Sequence, residues 1–194
     1  MPESQVKDII VEAATKYFAK FGFSKTTMDE IAKHIHKAKG VLYYYFKSKE
    51  ELFHEVLKKE MDSVKSKLSQ EVNSKKDDPL TMLETYLLVR LKLLNKATHY
   101  HETLKADFSE KYHFVTDIRN DFTDYERKQL TTILHRGKKE GYLDIKNIAS
   151  AVSVMIMIVN GIEIPLYLQN KYEEFEDVFE ELTAIIIKGL KTRR

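Results

Sequence analysis

The chain has 194 residues, 43% of them hydrophobic, enough to bury a core in one domain or two small ones. Its 32 basic and 30 acidic residues nearly cancel, so attraction to a polyanion must come from local clustering, and the absence of cysteine removes disulfides, thiolate nucleophiles and cysteine metal sites. The first ten residues, MPESQVKDII, lack the basic start, apolar stretch and cleavage site of an export signal, so a cytoplasmic location is expected.

Apolar residues recur with a helical period along almost every segment and none alternates as a strand would. Glycine (6) and proline (3) are scarce. The pattern predicts an all-α chain of about eight to ten helices. The first runs from about Ser4 to Phe21, with Ile9, Ile10, Ala13, Ala14, Tyr17, Phe18 and Phe21 on its core stripe and Gly22 as its stop. Thr27 and Glu30 form a capping box that opens a short second helix ending near Ile35. The link HKAK leads into a third short helix from about Gly40 to Tyr45. A second box, Ser48 with Glu51, opens a long fourth helix carried by Leu52, Phe53, Val56, Leu57, Met61, Val64 and Leu68.

The polar run NSKKDDP, 73–79, ends that helix. Beyond it the spacing predicts helices over Leu80 to about Lys96, Thr116 to Lys139 with Gly141 as its stop, Asn147 to Gln169, and Tyr172 to Leu190. Residues 148–162, IASAVSVMIMIVNGI, are apolar but shorter than the roughly 20 residues of a membrane span, and Glu163 and Pro165 follow at once. A buried or partner-facing helix is expected there, and no membrane partner.

Two short helices joined by a tight turn, within three apolar-striped helices, form a helix-turn-helix arrangement whose second helix fits the DNA major groove. Between residues 16 and 49 eight lysines stand against only Asp29 and Glu30, an excess of six positive charges in a nearly neutral chain. That clustering is the footprint of a phosphate-binding face. Thr26 and Thr27 place hydroxyls and N–H groups at one helix start, and Ser48 and Lys49 do so at the next. Tyr43 and Tyr44 point hydroxyls outward, Leu42 and Phe46 inward, Tyr45 is partly core, and Gly40 lets the backbone approach a duplex. The DNA-facing set is Thr26, Thr27, Lys37, Lys39, Gly40, Val41, Tyr43, Tyr44, Lys47, Ser48 and Lys49.

Residues 9–57, with AA-x-x-x-F, then G-F-x-x-T-T-x-x-x-I-A, then K-G-x-L-Y-x-Y-F and K-E-E-L, resemble the DNA-binding head of tetracycline-repressor (TetR) type regulators. The resemblance covers about a quarter of the chain. It implies base contact at Lys39 and phosphate contacts at Thr27, Tyr43 and Lys49. Where the family favours glycine, valine and serine in the turn this chain has His36, Lys37 and Ala38, and Val41 replaces a threonine, losing one phosphate-binding hydroxyl for which Lys37 adds a charge. His36 must follow the backbone of the turn, and histidine tolerates the left-handed region.

The expected organisation is a three-helix DNA-binding domain over 1–48 and a helical ligand-binding and dimerisation bundle over 49–194. Met82, Tyr86, Phe108, Tyr112, Phe122, Tyr125 and Met155 are either ordinary core or, as the resemblance implies, the lining of an effector pocket. Glu163, if buried, needs a partner, and either contacts a ligand, makes an internal hydrogen bond or sits at an exposed edge. Val152, Ile156, Val159, Phe175, Val178, Phe179, Leu182 and Ile186 give the last two helices an apolar face suited to a four-helix homodimer interface, as in that family.

His99, His101, Glu102 and His113 make no i, i+4 pair and read as solvent-facing polar residues, so no metal or other cofactor is expected. No Gly-x-Ser-x-Gly elbow, phosphate-binding glycine loop or His-Glu-x-x-His site argues for an enzyme. The expected activity is therefore that of a dimeric regulator, a repressor released from a palindromic double-stranded DNA site by a small-molecule effector. The alternative keeps the head and drops the effector, leaving a DNA-bound interaction protein.

Overall fold

Glycine, proline and capping residues divide the chain into nine α-helices among the residues that the computed structural model describes, 3–73, 78–105 and 113–192. They are α1 (Glu3–Phe21), α2 (Met28–His34), α3 (Lys39–Tyr45), α4 (Lys49–Asn73), α5 (Pro79–Asn95), α6 (Thr98–Thr103), α7 (Thr116–Lys139), α8 (Ile148–Gly161) and α9 (Glu176–Leu190). Among the described residues the sole β pairing is an isolated antiparallel bridge between Leu143 and Lys191. Two compact units emerge, one holding the chain up to Asp62 with Thr98–Ile118, the other Ser63–Ala97 with Arg119 onward.

The first unit runs past the expected limit at residue 48, because Leu52, Phe53, Val56 and Leu57 of α4 are buried in its core. Phe53 meets Phe18 at 5.1 Å and Phe23 at 5.0 Å between ring centroids, both edge to face. Rings in that geometry add about 0.5–1.5 kcal/mol per pair beyond their burial. The buried face of α1 is rotated from the expected stripe: Ile10, Val11, Ala13, Ala14 and Phe18 are inside, whereas Ile9 and Phe21 are exposed. Gly22, at φ +78°, stops α1 with its N–H on the Phe18 carbonyl.

In the second unit α5, α7, α8 and the end of α4 share one core around Leu68, Tyr86, Leu130, Leu134, Val152 and Met155, with Ile186 and Leu190 of α9 packed against it. Asp78 caps α5, accepting from the Leu80 and Thr81 N–H groups, and Pro79 occupies the first turn, where no N–H is needed. The helix expected over Asn147–Gln169 breaks after Gly161. Pro165 supplies no N–H to the ladder, and Ile164–Leu168 form a π turn closed by the Gln169 N–H on the Ile164 carbonyl. The last helix starts four residues later than expected, after Asn170 at φ +53°. Residues Ile148–Leu168 form a 21-residue stretch of mean hydropathy 1.8, long and apolar enough by composition to cross a membrane, a longer stretch than 148–162 alone. Its Val152, Met155, Ile156 and Val159 belong to the unit's own core, and its Glu163 is buried in an ion pair. These contacts favour a core helix.

Candidate nucleic-acid interface

The turn between α2 and α3 sets the direction of α3. His36 adopts φ +52°, as the turn requires of it, and the chain closes with His36 N–H on the Lys33 carbonyl and Lys37 N–H on the Ala32 carbonyl. These two bonds make a Schellman motif, in which backbone groups alone terminate the helix. At the start of α2, Thr27 Oγ1 accepts the Glu30 N–H while Glu30 Oε2 accepts the Thr27 N–H at 2.9 Å. The Thr27 hydroxyl, followed by its backbone amide, holds the Glu30 carboxyl below its usual range.

Only Leu42 of α3 is fully buried. Lys39, Gly40, Tyr43 and Tyr44 lie exposed, Tyr44 at 72%, with Val41 and Tyr45 half-buried. A Cβ built on Gly40 would meet nothing within 4 Å, so this side of α3 is open to a partner. Lys37 and Lys47 are exposed as well.

Besides Thr27, three members of the expected DNA-facing set are engaged internally. Thr26 is 1% exposed and its hydroxyl donates to the Gly22 carbonyl at 2.8 Å, so it leaves the set as a brace of the α1–α2 turn. Lys49 Nζ donates to the Phe23 carbonyl at 2.8 Å and sits 4.3 Å from the Phe23 ring centroid, tying the start of α4 to the same turn. Ser48 Oγ accepts the Glu51 N–H, whereas Glu51 Oε2 accepts the Lys47 N–H, one residue before the expected partner.

Lys39 is also engaged, but at the surface. Its Nζ lies 2.7 Å from Asp29 Oδ1 and 5.6 Å from the Tyr43 ring centroid, with its side chain 56% exposed. The Asp29 hydrogen bond, then its charge, raises the Lys39 pKa. Asp29 was not read from the sequence as part of the face; the available signal was its being, with Glu30, one of the two acids in a lysine-rich segment.

In the second unit, the expected pocket residues Tyr86, Phe122 and Met155 are buried in the core, Met82 and Tyr125 are half-buried, and Phe108 and Tyr112 lie outside the described residues. Glu163 finds its partner internally: Arg90 Nη2 donates to its Oε1 at 2.8 Å and to Asn160 Oδ1 at 3.2 Å. Arg90 also pairs with Glu126, whose Oε1 accepts the Tyr86 hydroxyl at 3.1 Å. Burial, with the Glu126 charge next, pushes the Tyr86 phenol far above its usual value. Arg90 was missed, although a cation at the i+4 position from Tyr86 and the i−4 position from Leu94, on the apolar stripe of one helix, was a legible signal.

The residues expected on a homodimer face differ in exposure. Val152, Ile156, Val159 and Phe179 are buried in the chain's own unit, and Phe175, Leu182 and Ile186 are half-buried. Of the expected face Val178 is exposed, as is Ile185 of the same helix, and Val154, Met157 (72%) and Ile164 join them. An open apolar groove of about 360 Å³ runs between α8 and α9, lined by Val154, Ile158, Ile185 and Gly189 among others. His99, expected at the surface, is buried against Glu60 and Thr15. Among the described residues no group of three or more His, Asp or Glu side chains is placed to hold a metal.

Residues 10–56 match the family of bacterial regulatory proteins, tetR family. Over 191 residues the chain is 28% identical to the HTH-type transcriptional regulator QacR of Staphylococcus aureus, covering 95% of this chain and 98% of that one. It is 24% identical over 185 residues to the HTH-type transcriptional repressor KstR2 of Mycobacterium tuberculosis, covering 93% and 90%. A transcriptional regulator from Cytophaga hutchinsonii superposes with a TM-score of 0.80 at 25% identity, over 95% of this chain and 98% of that one.

Proposed function

We propose that this chain, a member of the tetR family of bacterial regulatory proteins, is a dimeric cytoplasmic repressor that grips a palindromic operator with α3 of each copy and releases it when a small molecule occupies the second unit. Its relatives are DNA-binding regulators and not enzymes. The observation that carries the reading is the shape of α3: one buried anchor, Leu42, and an open side of Lys39, Gly40, Tyr43 and Tyr44 held at a backbone-locked turn. A dimer is supported by the exposed apolar residues Val154, Met157, Val178 and Ile185, which a second copy would cover.

Two copies related by a two-fold axis present their α3 helices about 34–36 Å apart, or a multiple of it, to successive turns of the groove. An effector that favours another spacing weakens binding by its differential affinity for the two arrangements, typically about 1–3 kcal/mol. Footprinting of the purified protein on the DNA upstream of its own coding sequence tests this. A protected palindrome that fades with salt is expected; no protection at low salt counts against it.

A second reading, a DNA-bound interaction protein with no effector, is favoured by how fully Tyr86, Phe122, Met155 and Glu163 are buried and by the Arg90 partner of Glu163. A small-molecule screen separates the two. A compound that raises the melting temperature and lowers DNA affinity supports the repressor; a screen in which no stabilising compound alters DNA affinity supports the second.

A further inference from the structure

Within residues 22–49 the acidic residues are Asp29 and Glu30. Glu30 is occupied by the α2 cap, its Oε2 accepting both the amide and the hydroxyl of Thr27. Asp29 instead meets Lys39 Nζ at 2.7 Å, at the foot of the open side of α3, with 51% of its side chain exposed. A carboxylate on a surface meant for phosphates repels every duplex alike, so for affinity alone it is a disadvantage.

We propose that Asp29 is a specificity-determining residue, which holds the Lys39 ammonium between its own carboxylate and the Tyr43 ring so that the remaining N–H donors serve base edges in the groove and not the phosphate backbone. The inference rests on the DNA-binding reading above. A lysine free on its flexible stem follows the nearest phosphate, which carries no sequence information. An ammonium fixed at one place gains only where a base presents acceptors there, as guanine does with N7 and O6. Asp29 also repels phosphate oxygens that approach the same ammonium, which weakens non-specific docking more than correct docking.

The test uses the full-length protein with two probes, a random-sequence duplex pool and a duplex enriched from that pool by the wild-type protein. Asp29→Asn should bind the pool about two- to fivefold tighter, the range of an exposed ion pair, without a matching gain on the enriched duplex, so the ratio of the two affinities falls. In a Lys39→Met background, Asp29→Asn should leave that ratio unchanged. Because Asp29 sits in the first turn of α2, where a negative charge favours the helix, melting temperatures of all variants are measured alongside. A ratio that holds or rises in Asp29→Asn, or that falls equally with and without Lys39, overturns the inference. A wild-type protein that binds neither probe sinks the DNA-binding reading itself, and that arm is read before any variant.

Discussion

Glu60 holds His99 by ring and by backbone at once: its Oε1 lies 2.7 Å from His99 Nδ1 and accepts the His99 N–H, while its Oε2 accepts the Tyr100 N–H at 2.8 Å. The second ring nitrogen, Nε2, is 3.0 Å from the Thr15 carbonyl. A carbonyl only accepts, so Nε2 carries a hydrogen, and a carboxylate at Nδ1 favours a second. One side chain of α4 thereby caps α6, and the ring it grips reaches α1 within the first unit.

That arrangement predicts a pH dependence. Burial, the largest single influence, pushes the His99 pKa down, but the Glu60 hydrogen bond and charge, the Thr15 carbonyl and the Glu102 charge together leave it raised above 6.5. The folded chain therefore holds the proton more tightly than the unfolded one. The stabilisation is complete below about pH 6.5 and is lost as pH rises through the folded value. Melting temperatures measured from about pH 6 to pH 9 should fall on the alkaline side, and His99→Gln should flatten that limb. An equal fall in the variant would assign the dependence to other groups.

Lys47 and Lys49 should behave differently despite their proximity. Lys47 is exposed, whereas Lys49 is committed to Phe23. Lys49→Ala should lower stability to urea by about 1 kcal/mol and change the salt dependence of DNA binding little. Lys47→Ala should leave stability unaltered and make the salt slope shallower by about 1.

Removing Arg90 strands two carboxylates, Glu126 and Glu163, in the interior. Arg90→Met should cost about 3–5 kcal/mol in urea unfolding. Adding Glu126→Leu and Glu163→Leu should recover most of that loss, since apolar replacement of a whole buried ion cluster is close to neutral. A triple variant as unstable as the single one would show that the cost arises from packing around the guanidinium.

Met157→Glu or Ile185→Glu, on the exposed apolar face, should yield a folded monomer by sedimentation velocity and weaken binding to a palindrome. Val152→Ala, in the core, should lower the melting temperature and leave assembly intact. The reverse pattern would return the interface to the buried face.

Gly137 lies against Leu143, where an added Cβ would stand 2.8 Å from Leu143 Cγ. Gly137→Ala should therefore destabilise by about 1–3 kcal/mol, read by thermal melting.

Local chemistry made much of this legible in advance. The Thr27–Glu30 box and the Gly22 and Gly141 stops each depend on neighbours within five residues, and each stands where the sequence puts it, while His36 takes the left-handed backbone that histidine tolerates. What escaped was information between distant residues. Arg90 reaches Glu126 and Glu163 across 36 and 73 positions. α8 is apolar on more than one side, so periodicity alone could not decide that Val152, Ile156 and Val159 stay inside while Val154 and Met157 face out. Pro165 lies inside the helix expected over Asn147–Gln169, and whether a proline kinks, ends or widens a helix depends on what packs around it.

The single anchorage of α3 through Leu42 has an evolutionary corollary. On the DNA-binding reading proposed above, substitutions at its outward positions leave the hydrophobic interior undisturbed, so a change of binding sequence carries little thermodynamic risk. Turnover of target preference is then decoupled from the integrity of the fold.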